Sequence, residues 1–233
     1  MLKTDSFSKA GRKGTNQDSL LVCSSGVYSL IAIADGMGGK EAGDCASKIA
    51  INTVKEQFDT NPDLDLSKVF RIVKDAICEF SVENNIKQMG TTLTVCLMNQ
   101  DKAVVAHAGD TRLYHLRNNG IVSITKDQTE VQKLIDDGVL SKKRAASYHR
   151  KNVLLSALTN YSDYSLFQTE FYISAKDRLI LLSDGAYDLI AKKEIRDLSV
   201  KNSEITDFMS DILSLIESRI IKDDYSVVAS EIG

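Results

Sequence analysis

Four aspartates occupy the same kind of position in the sequence, at one end of an apolar, strand-like run. Asp35 ends "LIAIAD" and Asp184 ends "LILLSD", and a glycine follows each of them. Asp110 ends "AVVAHAGD", and Asp223, with Asp224 beside it, precedes "YSVVAS". Carboxylates that pack close together repel one another and titrate upward unless a cation neutralises them. The pattern therefore predicts a divalent metal site at the strand ends.

The other residue types limit the metal and the class of site. The four cysteines are widely separated, and His107 and His115 lie in apolar runs, so thiolate or imidazole ligation is disfavoured. All-oxygen ligation favours Mg²⁺ or Mn²⁺ over zinc. A nucleotide-binding glycine loop is also disfavoured, because Ala34 and Glu41 stand where its motifs need other residues. A plain Asp-Gly turn is the alternative, and it loses weight because no hairpin strand follows either pair.

The surrounding elements follow from hydrophobic spacing. Residues 40–58 carry apolar side chains at helical intervals, and a second helical stripe runs from 69 to 80. Three β-branched runs come next and predict an antiparallel meander: "TTLTVCLMN", "KAVVAHAGD" and "TRLYHLRN". Two more strand-like runs, a helix around 203–221 and a last strand complete the chain. Helices grouped in pairs between runs of strands favour an α+β class over an alternating parallel sheet.

Composition places further limits on the fold and its partners. The 233 residues, 43% of them hydrophobic, are enough for one domain with a full core, so residues 1–233 are expected to form a single unit. Because 29 basic and 32 acidic residues give a net charge of -3, no nucleic-acid or anionic-membrane partner is expected. The sequence has neither a membrane-length apolar run nor the apolar core of a signal peptide. A cytoplasmic monomer is the simplest expectation.

Residues 126–151 are polar and are expected to form an insertion, hereafter the flap. The flap carries a short helical patch at "EVQKLIDDG" and a basic run, "SKKRAASYHRK", with five cations: Lys142, Lys143, Arg144, Arg150 and Lys151. Either a solvated loop or electrostatic steering of an anionic substrate accounts for these charges.

Eight motifs in chain order resemble those of the metal-dependent protein phosphatase family, type 2C (PPM), in its compact bacterial form. The resemblance covers nearly the whole chain. The motifs are "GTNQDS", "ADGMGG", "MGTTLT", "AHAGDTRLYHL", "ITKDQTEVQKLIDDG", "HRKNVLLSAL", "LILLSDGAYDL" and "KDDYSVV".

The resemblance implies a four-layer αββα sandwich, in which two antiparallel sheets are flanked by helix pairs. It also implies two Mn²⁺ or Mg²⁺ ions in a cleft at one end, with a weaker third. Carried over by position, Asp35 bridges the two main ions and the Gly36 carbonyl binds one of them. Asp184 and Asp223 bind the other. Asp110 is expected to hold the third ion together with Asp184.

The resemblance also assigns residues around these ligands. Asp18, Gln17 and Asp224 are expected to support the metal site from outside it. A phosphate-binding arginine is expected five residues before Asp18, where Lys13 stands, with Arg12 one position away. Arginine grips phosphate oxygens as a bidentate fork, so Arg12 is favoured if a bulge absorbs the extra residue, and Lys13 is the alternative.

The activity implied by the resemblance is hydrolysis of phosphoserine and phosphothreonine proteins by a metal-activated water, without a phosphoenzyme. A partner kinase is then implied. Two alternatives stay open at this point: a catalytically impaired binding or scaffold module with the same fold, and a phosphohydrolase that acts on small phosphoesters. Retention of Asp35, Asp110, Asp184 and Asp223 favours an active enzyme.

Overall fold

The computed structural model describes residues 2–12, 14–37, 40–145 and 147–233. The strands in these ranges are β1 Lys3–Lys9, β2 Asp18–Ser25, β3 Tyr28–Met37, β4 Gly90–Thr91, β5 Leu93–Asn99, β6 Lys102–Ala108, β7 Arg112–Arg117, β8 Gly120–Ser123, β9 Leu158–Thr159, β10 Phe167–Tyr172, β11 Arg178–Leu182 and β12 Tyr225–Glu231. The helices are α1 Lys40–Thr60, α2 Leu66–Glu83, α3 Glu130–Asp136, α4 Lys142–Ala145, α5 Asp184–Tyr187, α6 Lys192–Lys201 and α7 Ile205–Glu217.

The strands build two antiparallel sheets. One sheet has the strand order β1-β12-β11-β7-β8. The other runs β10-β6-β5-β3-β4-β9, and β2 pairs with β3 as well. Every strand pair is antiparallel. The α+β class predicted from the sequence is therefore confirmed.

Three buried clusters show how the layers stack. One lies between α1, α2 and the β3-containing sheet, and another lies between α6, α7 and the β11-containing sheet. The third lies between the two sheets and contains Ile31, Ile33, Leu179 and Leu181. Alternate residues of β3 therefore face the helices and the opposite sheet, which explains its continuous apolar sequence. This is the predicted αββα sandwich.

The predicted three-strand meander is wrong at its third strand. Strands β5 and β6 do pair, but β7 pairs with β11 and β8 in the other sheet. The chain changes sheets through Gly109, whose φ of 126° is open to glycine and strained for other residues. As a result Asp110 lies on the crossover between the sheets, at their common end.

The longest helix, α1, has 21 residues and a polar exposed face. None of the helices in the described part of the chain is long and apolar enough to cross a membrane.

Candidate active site

Five aspartates from separate elements converge at one end of the sandwich. The antiparallel register of β2 and β3 sets Asp18 directly opposite Asp35. Burial, followed by the negative charges of its neighbours, raises the pKa of Asp35 well above its ordinary value. Those neighbours are Asp18, Asp184, Asp110 and Asp223. The structure therefore brings together all of the acids that the sequence singled out as metal ligands.

The backbone of Asp35 is held on both sides by Thr91, which ends β4, and by Thr92, which follows it. The Thr92 amide and the Thr91 hydroxyl both donate to the Asp35 carbonyl, at 2.9 Å each. The Asp35 amide donates in turn to the Thr92 hydroxyl at 3.0 Å. Side-chain and backbone groups of two residues thus fix this strand end. Sequence analysis missed both threonines, although the quoted motif "MGTTLT" contains them.

The glycines after Asp35 and Asp184 are required by close packing of the backbone. A Cβ atom on Gly36 would lie 2.1 Å from the Gly43 carbonyl oxygen, and one on Gly185 would lie 2.0 Å from the Asp224 carbonyl oxygen. The sequence interpretation gave Gly36 a different reason, which was access of its carbonyl to a metal. The structure adds that both Asp-Gly pairs let neighbouring elements approach without a side chain between them.

Asp18 supports the cluster from a buried position. Its carboxylate accepts a 2.6 Å hydrogen bond from the Ser183 hydroxyl, and that hydroxyl accepts from the Ser226 amide. Burial raises the pKa of Asp18 to about 7, while the hydrogen bonds lower it and so partly oppose the rise. Ser183, which directly precedes Asp184, is a third residue that sequence analysis missed.

Asp110 lies beside a cation–π assembly. The Tyr187 hydroxyl is 3.5 Å from an Asp110 carboxylate oxygen, and the Arg112 guanidinium stacks 3.6 Å from the centre of the Tyr187 ring. Arg112 is fixed in turn by a bidentate pair with Asp127, at 2.9 and 2.7 Å. Burial, and then the charge of Asp184, raise the pKa of Asp110 to about 7. Tyr187 is a long-range partner that strand patterns do not reveal.

Asp224 fastens the N-terminal loop to the site. Its two carboxylate oxygens accept from the backbone amides of Gly11 and Gln17, at 2.7 and 2.8 Å. The Gln17 carbonyl accepts from the Gly36 amide at 3.1 Å, so this loop also contacts the Asp35 strand end. Asp224 is therefore bound to the chain segment that should capture phosphate.

Of the two candidate phosphate ligands, the structure describes only Arg12. Arg12 is exposed in a turn closed by a hydrogen bond of 3.4 Å from the Gly14 amide to the Gly11 carbonyl. Gly14 has a φ of 78°, which supplies the backbone freedom expected for a bulge. Lys13 lies outside the described residues. The choice between Arg12 and Lys13 stays a prediction.

The donor set has the chemistry of a hard-cation site. Its side-chain donors are carboxylates, and the Gly36 carbonyl stands next to Asp35. Asp184 is hydrogen-bonded to Asp35, and burial followed by the charge of Asp223 raises its pKa to about 6. Within the described ranges, no three acidic, histidine or cysteine side chains form a ready group for an ion. The mutual repulsion of these carboxylates nevertheless indicates a place where a bound cation would offset their negative charge. Mg²⁺ typically binds through one or two carboxylates and several waters.

These raised pKa values predict that the metal-free protein loses stability as the pH rises and that Mn²⁺ then stabilises it more. Folding favours the protonated carboxyls, so their stabilising contribution is present near pH 4 and is lost as the pH rises through about 6 to 7. The melting temperature of metal-free protein should fall between pH 5 and pH 8. Mn²⁺ should raise it more at pH 8, because at pH 5 it competes with protons. Differential scanning calorimetry would contradict this if Mn²⁺ stabilised the protein equally at both pH values.

Two of the five cations in the basic run of the flap are already paired. Arg150 forms a bidentate pair with Glu130, and the Lys151 ammonium lies 3.0 Å from the Asp188 carboxylate. The side chains of Lys142, Lys143 and Arg144 are exposed and form no ion pair within the described part of the chain. The steering hypothesis therefore depends mainly on these three residues.

Steering predicts a salt-sensitive effect of these three flap charges. Replacing all three residues by glutamine should lower kcat/KM for acidic phosphoproteins at low ionic strength, because long-range attraction raises the encounter rate. The loss should shrink at 0.5 M salt, where screening is strong. Hydrolysis of a small aryl phosphate is the control and should not change. An equal loss on both substrates would reject steering.

Comparisons with known proteins agree with this geometry. The model of the family described as protein phosphatase 2C matches residues 8–224. The serine/threonine protein phosphatase PstP of Mycobacterium tuberculosis is 31% identical over 229 residues, which cover 94% of this chain. The serine/threonine phosphatase stp of Listeria monocytogenes is 33% identical, over 72% of this chain and 71% of its own length. The chain spans 43% of the length of the mycobacterial relative.

A solved structure extends the comparison to three dimensions. The crystal structure of the catalytic domain of PstP, in complex with two manganese ions, has a TM-score of 0.85 and 30% identity to this chain. It covers 100% of this chain and 99% of the solved one. The fold is therefore shared along nearly the whole length of both chains.

Proposed function

Because the chain belongs to the protein phosphatase 2C family, we propose that it is a metal-dependent phosphatase that hydrolyses phosphoserine and phosphothreonine in proteins. The observation that carries the proposal is the convergence of five aspartates at one end of the sandwich, where burial and neighbouring charges raise the pKa of Asp18, Asp35, Asp110 and Asp184. Two relatives named as serine/threonine phosphatases support it. A catalytically impaired scaffold would have no need to keep this costly cluster of like charges.

We assign the metal ligands by combining this convergence with the family pattern. Asp35 would serve both main ions, with the Gly36 carbonyl on one and with Asp184 and Asp223 on the other. Asp110 would hold a weaker third ion with Asp184. The manganese complex of PstP supports Mn²⁺ as the metal, and Mg²⁺ fits the same oxygen donors. When bound, such ions generate a nucleophilic water near neutral pH and neutralise charge on the phosphoryl group.

The protein's own contribution is to hold these groups in position. Thr91 and Thr92 fix the backbone of Asp35, and the Ser183 hydroxyl orients the Asp18 carboxylate. Asp224 keeps the N-terminal loop against the site through two backbone amides. Positioning of this kind matters because hydrolysis of a phosphoester depends mainly on alignment and charge compensation.

Phosphate capture gives a prediction that separates Arg12 from Lys13. The true ligand, when changed to alanine, should raise the KM for a phosphothreonine peptide about tenfold and weaken inhibition by inorganic phosphate. Affinity for Mn²⁺ should not change, because neither side chain is a metal ligand. We expect Arg12→Ala to show these losses. The opposite result, with Lys13→Ala alone impaired, would assign the role to Lys13.

The remaining parts of the proposal concern cellular context and organisation. A phosphoprotein substrate requires a kinase, so we propose a partner kinase and action in the cytoplasm. We also propose that residues 1–233 are one monomeric domain with the flap at 126–151, supported by three buried clusters that link the helices and both sheets of the described chain. Light scattering tests the monomer, since a measured mass near twice 25.7 kDa would overturn it.

The test of the function is hydrolysis of a phosphothreonine peptide with added Mn²⁺ or Mg²⁺, before and after chelation. Turnover should require the metal and should disappear with chelator, because hard oxygen donors form the site. Folded, metal-loaded protein without turnover would identify a scaffold. Hydrolysis of nucleotides or sugar phosphates with much higher kcat/KM than phosphopeptides would identify a small-phosphoester enzyme.

A further inference from the structure

A groove of about 560 Å³ lies beside the aspartate cluster and is not used by the chemistry described above. Asp184 and Asp223 of the cluster belong to its lining. The rest of the lining comes from other segments, among them Leu189 after α5, Ile220 and Lys222 between α7 and β12, and Lys151 at the end of the flap. A molecule bound at the cluster can therefore extend into this groove without leaving the protein surface.

The apolar part of the groove is well supported. Ile220 is 67% exposed, whereas Leu189 packs partly against the cluster beneath α6 and α7. Arg219 donates to the Leu189 carbonyl and also to the Glu194 carboxylate, so the segments before α6 and after α7 are tied together. An exposed isoleucine next to a polar cluster offers contact to an aliphatic side chain.

The charged part of the groove is available to an anion. Lys151 is paired with Asp188, but the two side chains are 45% and 57% exposed. An exposed ion pair of this kind contributes little to stability, so Lys151 can exchange Asp188 for another carboxylate. Lys222 is exposed and forms no ion pair with any residue in the described ranges. Asp188 also lines the groove, so beyond Asp184 and Asp223 the groove presents two cations and one anion.

We propose that this groove binds the residues that flank the phosphorylated side chain of a protein substrate, and that it selects an aliphatic residue followed by an acidic one. The inference rests on the proposed function, in which bound metal offsets the negative charge of Asp184 and Asp223. Each residue of an extended peptide advances about 3.3 Å, so positions one to three residues from the phosphate reach the groove. Leu189 and Ile220 contact the aliphatic side chain, and Lys222 and Lys151 meet the acid.

Matched phosphothreonine peptides test this selection. One peptide has alanine at all flanking positions, a second has Leu-Glu after the phosphothreonine, and a third has Leu-Glu before it. A fourth peptide replaces the glutamate of the better Leu-Glu substrate by lysine. We expect one of the Leu-Glu peptides to have a kcat/KM about fivefold to tenfold above the alanine peptide. The lysine peptide should lose most of that gain.

Single substitutions in the groove connect the preference to its residues. Ile220→Ala and Lys222→Ala should each reduce the preference to about twofold or less, while hydrolysis of p-nitrophenyl phosphate stays unchanged. Two controls match them outside the groove: Val82→Ala removes an aliphatic side chain that is 77% exposed on α2, and Lys193→Ala removes an exposed lysine of α6. Both should keep the wild-type preference.

The outcomes separate the inference from the function on which it rests. Normal, Mn²⁺-dependent hydrolysis of p-nitrophenyl phosphate, with equal kcat/KM for all four peptides, would refute the inference about the groove and leave the proposed phosphatase activity intact. A preference that survives both groove substitutions would also overturn it. Absence of Mn²⁺-dependent hydrolysis on every substrate would instead remove the proposed function, and the groove inference with it.

Discussion

Asp35→Asn is expected to lower the turnover of a phosphothreonine peptide by about a thousandfold or more. The neutral amide can neither balance the charge of two divalent ions nor bridge them as a carboxylate does. Asp35 is also the residue whose pKa is raised by four neighbouring aspartates, which marks it as the centre of the cluster. Initial rates at saturating Mn²⁺, with bound metal measured by calorimetry, would show whether the loss lies in turnover or in metal affinity.

The fold should survive this change. Removing one charge from a self-repelling cluster relieves repulsion, so the melting temperature of metal-free Asp35→Asn should equal or exceed that of wild type. Asp101→Asn, in the exposed turn between β5 and β6, is the matched control and should keep full activity. Near-normal turnover in metal-loaded Asp35→Asn would refute the assigned site.

Strand ends were predictable from the sequence because they depend on local pattern. An apolar run that stops at Asp-Gly is visible in one dimension, and it located Asp35 close to the end of β3 and Asp184 two residues after the end of β11. The pairing partner of each strand was harder to predict from the sequence. Strand β7 has the composition of a meander strand, yet it pairs in the other sheet because Gly109 turns the chain between the layers. Side-chain pattern encodes strand formation better than it encodes pairing.

The groups that support the site could not be predicted for a related reason. Asp224 and Gly11 are 213 residues apart in sequence and meet only in the folded chain. The stacking of Arg112 on Tyr187 is likewise a contact between strand β7 and helix α5, which are far apart in the sequence. Family resemblance pointed to Asp224 as a supporting residue, but its actual partners are backbone amides. Backbone amides leave no signature in residue identity.

The second large effect is expected from replacing Gly185, the glycine of one aspartate-glycine pair. Gly185→Ala would place a Cβ atom 2.0 Å from the carbonyl oxygen of Asp224, well inside van der Waals contact. Backbone atoms on both sides prevent a rotamer change from relieving the overlap. We expect the free energy of unfolding to fall by about 3 kcal/mol, the upper part of the usual range for overpacking. For a chain of this size that lowers the melting temperature by about 6 to 12 °C.

Activity should fall together with stability in Gly185→Ala, even well below its melting temperature. The added methyl group pushes α5 away from the segment before β12, and these two segments carry Asp184 and Asp223. Gly120→Ala is the control, because its Cβ would lie 3.3 Å from the nearest atom, in an exposed hairpin, and should change stability by less than about 1 kcal/mol. A Gly185→Ala protein with wild-type melting temperature and turnover would show that the segments separate at little cost. The glycine of the Asp-Gly pair would then have no packing role.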